Sequence, residues 1–370
     1  MEDIYKFYDE LGPLKVIHIH EPSVGLKAVL VVDNVARGPS IGGLRMALDV
    51  STEECFRLAR AMTFKNAAAG IPHGGGKSVI YGDPKMPQKQ KEKLIRTLAR
   101  ALKGETHYIF GPDMGTNEEC MAWVKDEINR SVGLPREIGG IPLDEIGATG
   151  FGIYHAIDVA LAFCDFDIQG ARVAVQGFGA VGMNAARFLT EKGARLIAAA
   201  DSHGTIHNPN GLNVAELIRL KEEGNSVVKF KGGKASDRDA IIGIECDIWI
   251  PAARPDVVND DNVHKMSTRL VVQGANIPLT SGAEKYLHNK NVLCIPDFIA
   301  NAGGVICAAM EYKGMSETAT LQVIEEKLRR NTALILEESV NKGIMPRKAA
   351  ENMARRRLEK AMRLRRLNLF

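Results

Sequence analysis

The stretch ARVAVQGFGAVGMNAARFLTEKGARLIAAAD, residues 171–201, constrains the fold of this chain more than any other. A strand-like run, ARVAVQ, leads into Gly177-Phe178-Gly179-Ala180-Val181-Gly182. A helix is predicted over 183–192, then a second strand, ARLIAAA, ending at Asp201. A glycine pattern of this kind says little in isolation. Here it follows a strand, opens a helix and has an acid 24 residues after its first glycine. That context marks a dinucleotide-binding βαβ unit. The glycines permit a tight turn and let a pyrophosphate approach the helix N-terminus, where free N–H groups and the helix dipole favour an anion. The alternative is a tight strand-to-helix turn with no ligand.

Elsewhere strand-like and helix-like segments alternate, which predicts an α/β protein. Strands are expected at 26–32, 78–82, 246–251, 269–276 and 292–296, and helices at 51–69 and 152–163. Ser51 followed by Glu54 forms a capping box for the first helix. Ala252 and Asn276 lie where later strands end, and ligands in open α/β sheets bind outside the carboxyl ends of strands. A length of 370 residues fits two domains. The net charge of +3 gives no case for nucleic-acid binding, and no apolar run is long enough to span a membrane. The N-terminal MEDIYKFYDELG does not resemble a signal peptide. Six cysteines with no C-x-x-C pair read as buried free thiols of a reducing cytoplasm. His18 and His20 share a strand face, but no third metal ligand lies nearby. The basic segment 346–370, with Pro346 in its first turn, has helical spacing. It reads either as a nucleic-acid or membrane-surface helix or as a surface helix packing on the protein or a neighbouring subunit.

A second stretch, MTFKNAAAGIPHGGGKSVIYGDP (62–84), carries chemistry. Lys65 falls near a helix end, and Lys77 in a glycine loop entering a strand. A phosphate-binding loop would need glycine at position 71, which is Ile71. A lysine on a glycine loop can approach a small substrate closely. A second ammonium and a water-excluding site both lower its pKa toward base catalysis. The other lysine can stay charged and hold a carboxylate. Asp113, in GPDMGTNEE (111–119), offers a proton carrier; its alternative is simple helix capping around Thr116 or Asn117.

Several motifs occur together in order: GPSIGGLRM (38–46), MTFKNAAAGIPHGGGKSV (62–79), GPDMGTNEECMAW (111–123), ATGFG (148–152), GFGAVG (177–182), ADSHG (200–204), GANIPLT (274–280) and NAGGV (301–305). With them the chain resembles the glutamate/leucine/phenylalanine/valine dehydrogenase family of amino-acid dehydrogenases, from about Gly25 to Tyr312. The resemblance implies an N-terminal α/β substrate-binding and catalytic domain, 1–147 joined by helices in 330–370, and a Rossmann-type dinucleotide domain, 148–329, with the active site in the cleft between. It implies reversible NAD- or NADP-dependent deamination of an L-amino acid to a 2-oxo acid and ammonia, in the cytoplasm, by a homo-oligomer, usually a hexamer or octamer. Lys65 then grips the substrate α-carboxylate, Lys77 is the catalytic lysine and Asp113 shuttles the amino proton. Small residues around the lysines leave room for the amino acid. Thr149, Asn276 and Asn301 match positions near the nicotinamide end.

Asp201 suits the 2′-hydroxyl of NAD and would repel the 2′-phosphate of NADP, although Ser202 and His203 could bond a phosphate. NAD is therefore expected first, with NADP possible. In the family's glutamate dehydrogenases a lysine precedes the glycine pair that here is Gly42-Gly43, and a serine follows the NAGGV motif. This chain has Ile41 and Ala308 at those positions. An isolated carboxylate facing them would be costly to desolvate, so an aliphatic substrate such as leucine, valine or isoleucine is expected. The alternatives are a slipped match or another cation such as Arg45, hence a glutamate dehydrogenase with a divergent pocket. Outside the family stand a 2-hydroxy-acid dehydrogenase, which relies on a His/Arg set, and a catalytically silent NAD-binding protein.

Overall fold

A computed structural model describes residues 5–364, and the chain divides into two compact units of α/β architecture. Unit 1 runs to Pro142 and includes Val305–Thr320 and the chain from Met353; unit 2 holds Leu143–Gly304 and Leu321–Asn352. The division thus falls at 142/143, and the part of 330–370 up to Asn352 belongs to unit 2 instead of the first domain. The physical reason is pairing within unit 2. Arg329 bonds Asp158, and Arg347 bonds Glu284 and Asp297.

Unit 1 contains β1 (Lys15–Glu21), β2 (Leu26–Asn34), β3 (Ser40–Ala47), α1 (Thr52–Ala69), β4 (Gly74–Tyr81), α2 (Gln88–Ala101), β5 (Tyr108–Pro112) and α3 (Glu118–Ile128). The sheet order is β1-β2-β4-β3-β5, with β3 parallel to β4 and β5 and the first two strands antiparallel. Alternation divides its side chains between two faces. Val29, Val31 and Val79 pack with Cys55, Phe56 and Ala59 of α1. Leu30, Val32, Leu44, Ile80, Tyr108 and Phe110 pack with α2 and α3 on the other side. On the α1 side, β3 therefore presents Ile41, Gly43 and Arg45.

Helix α1 begins as expected, with Ser51 Oγ accepting the Glu54 N–H at 3.0 Å. The Glu54 carboxylate does not return that bond to the cap; it accepts from Arg45 Nη1. Gly74, Gly75 and Gly76 were expected in a loop, but they lie inside β4. A side chain at Gly76 would meet Val31 O at 2.9 Å and Tyr108 Cδ2 at 3.0 Å, and one at Gly75 would run into the Thr63 backbone of α1. The cleared volume is thus taken up by α1 and neighbouring strands, not held open for a ligand. Close backbone approach is what excludes a Cβ here.

Unit 2 contains α4 (Ala148–Ala160), β6 (Arg172–Gln176), α5 (Ala180–Glu191), β7 (Arg195–Asp201), β8 (Gly204–His207), α6 (Val214–Glu222), β9 (Lys234–Ser236), β10 (Ile248–Pro251), β11 (Leu270–Val272), α7 (Ser281–Asn289), β12 (Leu293–Ile295) and α8 (Asp297–Ala300). The sheet order is β12-β11-β10-β6-β7-β8-β9. Strands β12 through β7 are parallel, and β8 and β9 are antiparallel additions. The chain winds outward from β6 in both directions, so β6 and β10 flank the switch point where such sheets bind ligands. Helix α5 starts at Ala180, three residues earlier than expected, because Gly179 is already its N-cap.

Three helices finish the chain: α9 (Gly303–Tyr312), α10 (Glu317–Lys342) and α11 (Pro346–Leu364). The basic helix is engaged with the protein. Arg355 Nη1 donates to Glu10 at 2.9 Å, and Arg357 Nη1 donates to the last-turn carbonyls of α1 at Ala67 and Ala68. That is favourable placement for a cation at a helix C-terminus. Arg365 and Arg366 lie outside the described residues. Five of the six cysteines are buried and Cys164 is half-buried; all are free thiols. His18 and His20 are both exposed on β1. Among the described residues no helix is long and apolar enough to cross a membrane.

Candidate active site

In unit 1 the sheet brings Lys77, Asp113, Gly43 and Arg45 together. Lys77 projects from the middle of β4 and is 5% exposed. Asp113 follows the end of β5, where Gly43 of β3 pairs with Gly111 and Leu44 with Pro112. Lys77 Nζ donates to Asp113 Oδ2, and Arg45 Nε donates to the same oxygen at 3.2 Å. A Cβ on Gly43 would lie 2.7 Å from Asp113 Cβ and 3.2 Å from Lys77 Nζ, so Gly43 forms the wall against which the pair sits.

Asp113 is not a helix cap. Asn117 caps α3, accepting from the Cys120 N–H at 3.1 Å. The Asp113 N–H instead donates to Thr116 Oγ1 at 3.0 Å, and that hydroxyl donates to Leu44 O at 2.8 Å. The loop is thereby tied to β3. Beneath it, the buried Tyr108 hydroxyl donates to Gly42 O at 2.8 Å and lies 3.0 Å from Ser78 Oγ. Tyr108, Ser78 and Thr116 carry no signal in their local sequence that marks these roles.

Burial pulls the Lys77 pKa below the ordinary lysine value; Asp113 opposes this, and the Arg45 charge adds to the lowering. The second cation expected beside Lys77 was Lys65; the cation whose charge acts on Lys77 is Arg45. For Asp113, burial works against the anion, but Lys77 and then Arg45 outweigh it and hold the carboxyl below its ordinary range. A lysine that gives up its proton more readily than usual, beside a carboxylate held as the anion, can move a proton between the pair and a bound molecule. Cys55 Sγ donates to Lys77 O at 3.3 Å, and burial pushes its thiol up to about 12, which keeps it an inert packing group. Lys65 stands half-buried in the last turns of α1, the helix that covers this face, ahead of the Gly70 C-cap. Ile41 is 4% exposed and shares the Gly43 face of β3. Ala308 is half-buried on α9.

In unit 2 the fingerprint glycines divide three tasks. Gly177 has φ +98°, a left-handed conformation, and a side chain there would meet Ala252 and Ala253 at 2.7 Å. Gly179 has open space where a Cβ would point, room for a pyrophosphate beside the N-terminus of α5. Gly182 packs its helix against Gly177 and Val175. The Phe178 side chain is buried, so only its backbone can reach a ligand, while Ala180 and Val181 open α5. Ala252 N donates to Gln176 O at 2.6 Å, which joins the ends of β10 and β6.

Gln176 Oε1 and Asn301 Oδ1 are buried acceptors with no hydrogen-bond partner. Leaving such groups unsatisfied costs about 1–3 kcal/mol each, and a donor such as a carboxamide would satisfy them. Asn301 Nδ2 donates to Asn276 Oδ1 at 3.0 Å and to Gly274 O at 3.3 Å. Thr149 Oγ1 would lie 3.3 Å from a Cβ on Gly304, so α4 and the start of α9 converge on the same place. These residues fit a nicotinamide dinucleotide.

Asp201 stands at the end of β7, but its carboxylate is already filled. It accepts from Lys221 Nζ at 2.8 Å, His203 N at 2.9 Å, Ser226 Oγ at 2.9 Å and Val227 N at 3.0 Å. Burial opposes its charge, yet these four donors hold its pKa at about 2. Asp201 therefore remains an anion, but one neutralised by Lys221. Ser202 and His203 are exposed beside it, with Ser202 Oγ 3.1 Å from His203 Nδ1.

Residues 139–366 match the family described as Glutamate/Leucine/Phenylalanine/Valine dehydrogenase, and residues 13–130 match Glu/Leu/Phe/Val dehydrogenase, dimerisation domain. The NADP(+)-dependent glutamate dehydrogenase of Pyrobaculum calidifontis is 35% identical over 364 residues, covering 92% of this chain and 85% of that protein. A hetero-hexameric glutamate dehydrogenase from Thermus thermophilus, in a Leu-bound form, superimposes with TM-score 0.84 at 29% identity, over 95% of this chain and 90% of that one. The L-tryptophan dehydrogenase of Nostoc punctiforme superimposes with TM-score 0.76 at 25% identity, over 95% and 97% of the two chains.

Proposed function

Since the chain belongs to the Glutamate/Leucine/Phenylalanine/Valine dehydrogenase family, and is thereby an NAD(P)-dependent amino-acid dehydrogenase acting on CH–NH2 donors, we propose that its substrates are apolar L-amino acids, with leucine, valine and isoleucine foremost. In this reading Lys65 holds the substrate α-carboxylate. A nicotinamide dinucleotide, which Gly177, Gly179, Gly182 and Asn301 would hold, would supply the acceptor for the hydride of the substrate Cα. Lys77, neutral when it acts, takes a proton from the water that attacks the resulting imine carbon. Asp113 carries protons to and from the substrate nitrogen, and ammonia and a 2-oxo acid leave. Steps of this acid–base kind contribute about 10²–10⁴-fold each.

The observation that carries the substrate reading is Ile41, buried on the Gly43 face of β3 where a side-chain cation would be needed for glutamate. Arg45 is no substitute, since Glu54 and Asp113 already engage it. The glutamate dehydrogenase of Pyrobaculum calidifontis favours the second reading, glutamate itself. Comparison of kcat/KM for leucine and glutamate separates the two, and a clear advantage for glutamate would refute the apolar pocket. Ile41→Lys with Ala308→Ser should raise the glutamate-to-leucine ratio by tenfold or more, since a new carboxylate contact of only about 1.4 kcal/mol is worth a factor of ten. The match of residues 13–130 to a dimerisation domain supports a homo-oligomer, proposed to be a hexamer or octamer, which light scattering would measure.

A further inference from the structure

Two non-glycine residues in unit 2 have left-handed backbones next to each other. Ile277 has φ +47° and Asp256 φ +52°, and the Asp256 N–H donates to Ile277 O at 2.9 Å. A β-branched residue such as isoleucine resists this conformation strongly. Packing of its side chain does not supply the compensation, because Ile277 is 57% exposed. Strain of this kind persists only where surrounding groups impose it, and it gathers at functional sites. Ile277 follows Asn276, in the segment leaving the carboxyl end of β11.

The group that imposes it is Asp297. Asp297 Oδ2 accepts the Ile277 N–H at 2.8 Å. Asp297 Oδ1 accepts from Arg347 Nη2 at 3.0 Å. Arg347 is held in turn by Glu284, through Nε at 2.5 Å and Nη2 at 2.8 Å, and by Gln273 Oε1 at 3.0 Å. Gln273 and Glu284 are almost fully buried and Asp297 is 7% exposed, so the carboxylate has little freedom to relax. One residue away, Asn276 Oδ1 accepts from Asn301 Nδ2, whose own oxygen lacks a partner. The chain of bonds therefore runs from α11 through Asp297 and a strained backbone to the asparagine pair.

We infer that Asp297, oriented by Arg347, is a positioning residue for the nicotinamide end of the cofactor. It holds the Ile277 backbone in its left-handed turn and so places Asn276 against Asn301. The inference rests on the reading of these asparagines as nicotinamide contacts.

Asp297→Asn keeps the shape but sets an amide group against either Arg347 or the Ile277 N–H. Glu284 still pairs Arg347, so the arginine is not left alone. Calorimetric titration with NAD+ and with ADP-ribose, which lacks the nicotinamide, separates positioning from general damage. Asp297→Asn should weaken NAD+ about tenfold, the size of one lost charge-assisted bond, and leave ADP-ribose within about twofold. Ile277→Gly removes the strain, since glycine adopts positive φ freely. In the double variant, NAD+ affinity should therefore return to within about threefold of Ile277→Gly alone, a non-additivity expected of coupled residues. Equal losses for both ligands, no loss for NAD+, or strict additivity in the double variant would each overturn the inference. Wild-type protein that binds ADP-ribose and NAD+ equally well would instead overturn the nicotinamide reading, and the inference with it.

Discussion

Gly43→Ala is a one-methyl test of the catalytic geometry. The added Cβ would lie 2.7 Å from Asp113 Cβ, 3.0 Å from Pro112 O and 3.2 Å from Lys77 Nζ. Carbon atoms pack best at about 3.5–4.0 Å, so the Asp113 Cβ must retreat by about 1 Å. Gly43 does not have positive φ, and alanine suits its backbone. The cost is therefore confined to overpacking, about 1–3 kcal/mol, which a domain of ordinary stability survives. The catalytic effect should be much larger than that suggests. A misplacement of about 1 Å in a reacting group can cost about 10²-fold. Steady-state kcat with the best amino-acid substrate should fall by about that factor, with circular dichroism and thermal melting showing a folded protein.

The control is Gly111→Ala, at the position paired with Gly43 across β3 and β5. Its Cβ would meet Val132 Cγ2 at 3.6 Å, an ordinary contact. It should leave kcat within about twofold and cost little stability. A folded Gly43→Ala enzyme with near wild-type turnover would show that Asp113 and Lys77 are not held in a required geometry. Equal losses in both variants would show that glycine matters here only for the sheet.

Lys77→Ala should lower kcat by about 10²–10⁴-fold, the usual size of an acid–base contribution, with NAD+ affinity measured separately and nearly unchanged. In the role proposed for it Lys77 acts in its neutral form, and burial lowers its pKa, so deamination should rise with pH through an inflection below the ordinary lysine value. In Asp113→Asn the opposing carboxylate is gone, so the inflection of the residual rate should move to still lower pH; an unmoved or raised inflection would contradict the assigned pair. For the cofactor, Lys221→Met leaves the Asp201 charge without its cation. Ratios of kcat/KM for NAD+ and NADP+ should then shift toward NAD+, and an unchanged ratio would show that this carboxylate lies too far from the 2′ position to matter.

Much of the site was legible in the chain because the signals are local. The tight turn at Gly177, the open approach at Gly179 and the close packing at Gly182 are all properties of one short segment between a strand and a helix. The Ser51 cap and the Asn117 cap are likewise set within three residues of their partners. Asp201 shows where local reading stops. Its place at the end of β7 was evident, but three of its four donors come from residues 20, 25 and 26 positions onward, and their arrival converts an open anion into a saturated one. Gly74 to Gly76 looked like a loop because they lack apolar alternation. They form a strand because α1 and the neighbouring backbones come so close that no side chain fits, a condition made by packing and invisible to periodicity. The partners of Lys77 follow the same logic. Asp113 and Arg45 stand 36 and 32 residues from it in the chain, and only the registers of β3 with β4 and β5 bring all three to one face of the sheet, where burial pulls the Lys77 pKa down and the two cations hold the Asp113 carboxyl below its ordinary range.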